Sequence, residues 1–318
     1  MLSSIVDPLR SLSRGDGTVQ SELATRLFTH VDRLAGLIGP RPMAREATTE
    51  TTVTYIEREL ASCGLSVERE FYPLLGRQVC NLVANRIGSG RPDEIVILGA
   101  HYDTISTTPG ADDNASAVAV LIETARQLQT FAPDRTIRFV SFAAEEPPYF
   151  QTDGMGSRVH ARGCRSRNEE IRAMLCLEMV GYFTDAEGSQ TVPPAIPRWL
   201  RGAVPTRGDF LAAVGNLASW RLVWSFRRGF RQGTQLPLFA IALPESIPEI
   251  GLSDNSSFWE QGYPALMLTD TSFLRNPNYH LVSDTPDTLD YTRMAEVTLG
   301  VASALERLAG GERGASAP

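Results

Sequence analysis

Residues 95–100, IVILGA, form a short unbroken apolar run, and His101 and Asp103 follow it directly. An apolar run of this length, bounded by polar segments, is the pattern of a β-strand covered on both faces. Such strands belong to parallel sheets packed between helices, so this one stretch narrows the fold to layered α/β arrangements. In an extended chain, side chains two residues apart share a face. His101 and Asp103 can therefore act together, as an imidazole that binds metal through one nitrogen and is held by a carboxylate at the other. After a polar loop, Asp112-Asp113-Asn114 precedes a helix with apolar positions at Ala115, Val118, Ile122 and Ala125. A carboxylate there stands at the positive end of a helix dipole. A lone histidine, or a lone helix-capping Asp, would need no functional account; the partners found downstream change that.

Strands and helices alternate through most of the chain. Expected helices cover residues 22–37, 46–62, 115–128, 154–162, 216–230 and 291–308, and expected strands cover 65–75, 78–87, 95–100, 136–144, 174–183, 236–243 and 263–269. The pattern predicts a three-layer α-β-α fold with a central, mostly parallel mixed sheet. Residues 1–20 are expected to be a flexible lead-in, 21–310 a single catalytic domain, and 311–318 a disordered tail. The Arg- and Trp-bearing segment 216–230 reads as a surface helix docked by its aromatics.

Composition sets outer limits on function. The chain has 318 residues, 42% of them hydrophobic and 21% charged, an ordinary composition for a chain with a substantial core. Its net charge of −7 argues against nucleic acid as a partner. No run is long and apolar enough for a membrane span, and no signal segment is visible, so the expected location is the cytoplasm. The four cysteines, Cys63, Cys80, Cys164 and Cys176, form no C-x-x-C pair, which weakens zinc–thiolate and redox readings. Cys176, inside an apolar run, is expected to be a buried free thiol, and nothing requires a Cys63–Cys80 bridge.

In open α/β sheets, ligands bind beyond the carboxyl ends of the strands. His101, Glu145, Glu146 and Glu178 all fall at or near such ends. With Asp103, Asp113 and His280 they make a set of imidazoles and carboxylates suited to zinc or another borderline divalent metal. Seven candidates are too many for one ion. Two ions about 3.5–4 Å apart, sharing one carboxylate, would use the set. Glu145 and Glu146 are adjacent, so one can bind metal while the other faces the attacking water as general base.

With these residues assembled, the chain resembles the co-catalytic zinc aminopeptidases, the aminopeptidase Y and bacterial leucine aminopeptidase kind. The matching segments are GAHYD (99–103), PGADDNAS (109–116), FAAEE (142–146), LEMVGYF (177–183), SDNSSFWEQGYPAL (253–266) and RNPNYHLVSDTPDTLD (275–290). The resemblance implies a zinc-dependent exopeptidase, most simply an aminopeptidase acting on peptides. It implies two Zn2+ per chain, one held by His101 and Glu178, the other by Glu146 and His280, with Asp113 bridging. It assigns Glu145 as the base that activates a metal-bridging water, Asp103 as the group orienting His101, and Tyr279 as a donor to the oxyanion. It also implies a cis peptide after Asp113. Many members carry Asp where this chain has Glu178, and SDH where it has Ser253-Asp254-Asn255. Two alternatives stand beside this reading: a single-zinc, glutaminyl-cyclase-like acyltransferase, and a non-catalytic peptidase-like binding domain. Oligomeric state is left open.

Overall fold

The computed structural model describes residues 14–193, 196 and 201–313. The chain enters through helices α1 (Arg14–Val31) and α2 (Glu46–Ser62), then forms the antiparallel strands β1 (Val67–Leu74) and β2 (Arg77–Arg86). Strand β3 (Arg91–His101) leads through a polar loop to helix α3 (Ala117–Gln127). The short β4 (Phe131–Pro133), strand β5 (Arg135–Phe142), helix α4 (Gly156–Ser166) and strand β6 (Glu170–Glu178) follow. Then come β7 (Leu211–Asn216), α5 (Trp220–Gly233), β8 (Leu238–Leu243), α6 (Asn255–Glu260), β9 (Ala265–Thr269), α7 (Tyr291–Ala309) and β10 (Gly311–Arg313).

Eight strands form one sheet in the order β1-β2-β5-β3-β6-β9-β7-β8. The four central strands β5, β3, β6 and β9 run parallel, while β1, β2 and β7 make antiparallel pairings toward the edges. This is the mixed, centrally parallel sheet expected from the alternation of strands and helices. Within β3, side chains alternate faces as a strand requires. Val96, Leu98 and Ala100 join the larger core with α1, α2, α3, α5 and α7, while Ile95 and Ile97 join a smaller one with Phe142, Cys164, Cys176 and Phe258 near α4 and α6. Helix α3 is buried on every side from Ala117 to Ala125, as expected of a helix with no polar face (Glu123 excepted). Asp290 caps α7, its side chain accepting from the Arg293 N–H at 2.9 Å.

Several boundaries differ from expectation. Helix α1 begins at Arg14, inside the expected lead-in, whose residues 1–13 lie outside the described part. Gly311–Arg313 pairs antiparallel with Phe131–Pro133, so the expected disordered tail opens with a strand; 314–318 lie outside the described residues. Strand β7 was not expected. Its sequence, LAAVGN, is built from small residues with weak strand preference, and only its place between β9 and β8 makes it a strand. Helix α5 docks through Leu222, Val223, Phe226 and Phe230, while Trp220 and Trp224 stay about half exposed (49% and 51%). The phenylalanines, not the tryptophans, do the docking. Gly229 lets this helix approach α7 closely, since a Cβ there would lie 2.6 Å from Ala304 Cα. All four cysteines are buried and free. Among the described residues, no helix is long and apolar enough to cross a membrane.

Candidate active site

The carboxyl ends of β3, β5 and β6 bring three parts of the site together. His101 is the last residue of β3 and fully buried. Glu178 is the last residue of β6, and Glu145 and Glu146 follow β5 by three and four residues. Asp113 comes from the turn before α3, and His280 from the segment between β9 and α7. The Asp113–Asn114 peptide is cis. Ala144, Met179 and His280 all have left-handed backbone (φ 57°, 48° and 58°), a conformation non-glycine residues adopt rarely and most often at functional sites.

These side chains form two interlocking triads, His101–Asp113–Glu178 and Asp113–Glu146–His280, each with its ligand atoms within 4.8 Å of one another. His101 Nε2 lies 3.4 Å from Asp113 Oδ1 and 3.3 Å from Glu178 Oε2. His280 Nε2 lies 3.1 Å from Asp113 Oδ2 and 3.2 Å from Glu146 Oε2. Asp113 therefore offers one oxygen to each triad. Glu145 belongs to neither triad; its Oε2 is 3.7 Å from His101 Nε2.

The donor set fits cations at both triads. Ligands about 2.0–2.2 Å from a tetrahedral zinc stand roughly 3.3 Å apart, which is the spacing between the paired atoms here. His101 Nε2, Asp113 Oδ1 and Glu146 Oε1 are buried without a hydrogen-bond partner. Orphaned buried polar atoms are costly, and three of them converging on shared points are explained by a cation. The His101 ring is set for this role: its Nδ1–H points to the Asp103 backbone carbonyl at 3.2 Å, leaving the Nε2 lone pair toward the cluster.

Electrostatics say the same. Burial disfavours charge on His101, but Glu145, Glu178, Asp103 and Asp113 outweigh it and hold its pKa well above the usual range. For His280 burial also opposes charge, yet hydrogen bonds to Asp113 and Glu146 lift it to about 10. Burial raises Glu146, and Asp113 beside it adds to the effect, to about 8. Asp113 itself is pushed down: burial would raise it, but His101 and His280 win. Without cations, then, protons fill the place that cations would take. Metal uptake must displace them. Binding at pH 7 is expected to release protons from the two imidazoles, and apparent metal affinity to rise between pH 5 and 8. Calorimetry in buffers of different ionisation enthalpy checks this, and affinity independent of pH would contradict it.

A supporting shell fixes these candidate ligands. Asp103 is 3.5 Å from His101 Nδ1 through its carboxylate, but its stronger bonds are elsewhere: the two oxygens accept from the N–H groups of Glu145 (3.0 Å) and Glu146 (3.1 Å). It therefore positions three site residues at once, where the sequence indicated only one. Asn114 brackets Glu178, donating to Leu177 O (3.1 Å) and accepting from the Met179 N–H (3.0 Å). Asp284 accepts from the N–H groups of Asp112 and Asp113. Arg41, fully buried, donates to five carbonyls, those of Leu34, Gly39, Tyr102, Pro109 and Gly110, and so ties the loop after β3 to the N-terminal helices. Gly110 has φ +66°, and a Cβ there would meet Asp113 O at 2.3 Å.

Ser253 was not singled out from sequence. Its hydroxyl donates to Glu178 Oε2 at 2.6 Å. Losing such an outer partner typically costs about 10–100-fold in metal affinity. Ser253→Ala is expected to weaken the His101–Glu178 position by that order and leave the other in place, read by competition with a zinc chelator; equal loss at both would contradict it. In the same SDN segment, Asn255 bonds the Ile250 carbonyl and touches no ligand. Tyr279 stacks on the His280 ring (centroids 3.8 Å, 19°) and lines the cavity beside the cluster. Burial, and then the nearby carboxylates, push its hydroxyl pKa up, so it remains a donor.

A centrally parallel α/β sheet carries two histidine–carboxylate triads that share an Asp, each a candidate metal site. Residues 81–209 match the profile of Peptidase family M28. The chain is 37% identical over 308 residues to YfbL, an uncharacterized protein of Escherichia coli, covering 94% of this chain and 91% of that one. It is 25% identical to a probable aminopeptidase of Saccharomyces cerevisiae, YDR415C, over 70% of this chain and 56% of that protein. The fold matches that of BSAP, a zinc aminopeptidase from Bacillus subtilis, with a TM-score of 0.69 at 15% identity, covering 89% of this chain and 94% of that one. The chain belongs to peptidase family M28.

Proposed function

We propose that this chain is a zinc-dependent exopeptidase that hydrolyses the N-terminal peptide bond of its substrates and uses two zinc ions. The observation that carries the reading is the pair of complete triads joined by Asp113. A single-ion, cyclase-like centre has no use for the second triad, and a non-catalytic domain would have no need to keep either. The aminopeptidase names among relatives agree with it. So does the charge of the site: acidic groups around the cavity attract a substrate ammonium, and among the described lining residues there is no Arg to hold a substrate carboxylate.

His101, Glu178 and Asp113 would hold one ion, and Glu146, His280 and Asp113 the other. When bound, the ions polarise the scissile carbonyl and acidify the attacking water. Glu145 takes the proton from that water and returns it to the departing amine nitrogen. Its setting suits a base: burial raises its pKa well above the ordinary carboxylate value, His101 pulls against this, and Glu178 and Glu146 push the same way as burial. Asp103 keeps Glu145 in place through its backbone N–H. Tyr279 donates its hydroxyl to the oxyanion that develops on the carbonyl oxygen. The test is zinc content after equilibration and desalting, together with hydrolysis of aminoacyl anilides. Two zinc per chain and chelator-sensitive activity are expected; one zinc would overturn the two-ion centre, and none would overturn the enzyme.

A further inference from the structure

The metal-ligand cluster opens into a cavity of about 320 Å³, large enough for one substrate side chain and its attachments. Its floor is the face of the sheet at β7, β8 and β9, where Val214, Phe239, Ile241 and Met267 point the same way by strand alternation. Apart from the catalytic cluster, the described lining residues include one charged side chain, Glu249. It stands on the short turn Pro248–Gly251 after β8, between the buried Ile247 and Ile250. Its Oε2 is buried and has no hydrogen-bond partner, and among the described lining residues there is no Arg to neutralise it.

Glu249 as a whole is part-exposed, but its buried Oε2, facing an apolar wall without a partner, is unfavourable on its own. Nothing in the ligand cluster relieves it, because that cluster is complete without it. A ligand that brings a cation to this wall relieves it. We infer that the cavity receives the side chain of the substrate's N-terminal residue, and that Glu249 selects a long side chain with an aliphatic stem and a cationic end, arginine or lysine. The stem lies along the apolar floor, as such side chains do on apolar surfaces. The cation makes a charge-assisted hydrogen bond to Glu249. A leucine or phenylalanine fills the floor equally well but leaves the buried Oε2 of Glu249 without a partner. A site built to bond a polar group rejects ligands lacking it more strongly than an apolar pocket rejects a change of shape. This inference rests on the exopeptidase reading for its orientation of substrate.

The test compares kcat/KM of the zinc-loaded full chain for arginyl, lysyl and leucyl coumarylamides, in the wild type and in Glu249→Gln and Glu249→Asp. The wild type is expected to prefer the basic substrates by about 10-fold or more. The basic-to-leucyl ratio is expected to fall by about 10–100-fold in Glu249→Gln and to be partly kept in Glu249→Asp, with circular dichroism showing both variants folded. Alongside, calorimetry in a Glu145→Gln background measures binding of argininamide and leucinamide without turnover. A leucyl preference in the wild type, or a ratio unmoved by Glu249→Gln, overturns the inference and leaves the exopeptidase reading standing. Glu249-dependent binding of argininamide with no hydrolysis of any substrate upholds the pocket and overturns the exopeptidase reading. Failure of argininamide to bind overturns the inference.

Discussion

Glu145→Gln is expected to lower kcat for aminoacyl anilides by about 10²–10⁴-fold while zinc stays at the wild-type stoichiometry. The two halves of this result rest on different features. Glu145 is outside both triads, so removing its charge leaves every ligand atom in place. Glutamine is nearly isosteric and keeps the backbone N–H that Asp103 accepts, so the 145–146 segment stays anchored. What glutamine cannot do is accept a proton. The variant also removes one of the carboxylates that crowd His101 and raise its pKa. Metal uptake by the variant is therefore expected to release a little less proton than uptake by the wild type. Activity within tenfold of wild type would remove Glu145 from the role of base. Loss of zinc together with activity would make it a ligand instead.

Much of this candidate site is legible in the sequence because the residues of its two triads sit at punctuation points. His101 and Glu178 end apolar strands, Glu145 and Glu146 follow one and precede two prolines, and Asp113 precedes a helix. The change from apolar run to acid or imidazole marks each position without knowledge of the fold. His280 has no such signal: it lies in an irregular polar stretch, and only the ordered family motifs point to it. The shell around the ligands was much less visible. Ser253 meets Glu178 across 75 residues of chain, Asp284 reaches Asp112 across 172, and Arg41 reaches Gly110 across 69. A serine, an aspartate and an arginine in loops have many ordinary uses, and the partner that gives each its role is assembled only by the fold. Glu249 belongs with them, since a carboxylate beside isoleucines is conspicuous only once those isoleucines line a cavity. The fold was legible in the same uneven way. The central strands and β8 are apolar enough to be read directly, whereas β7 carries small residues, and the sheet rather than local preference makes it a strand.

Asp113→Ala should have the widest effect on metal content of any single change, because it is the only residue shared by the two triads. Each candidate metal site would keep two protein ligands, fewer than the three usual at a catalytic zinc. The loss is expected to exceed the roughly 10–100-fold that follows removal of an outer partner, so zinc should fall from about two per chain to well below one after desalting. Thermal unfolding separates this from a general loss of structure. Zinc at 1,000 times its Kd would stabilise the wild type by about 4 kcal/mol, a Tm rise of roughly 8 °C for a domain of this size class. That rise should be absent in the variant. The metal-free variant should also be less stable than the metal-free wild type at neutral pH. Asp113 is held ionised by His101 and His280, so its folded pKa lies below the unfolded value. A depressed carboxylate contributes stability above its unfolded pKa and loses it as pH falls through the folded one. The difference between the two metal-free proteins should therefore shrink on acidification below about pH 4. A variant that kept two zinc ions, or one that lost only one of them, would show that Asp113 does not join the two sites.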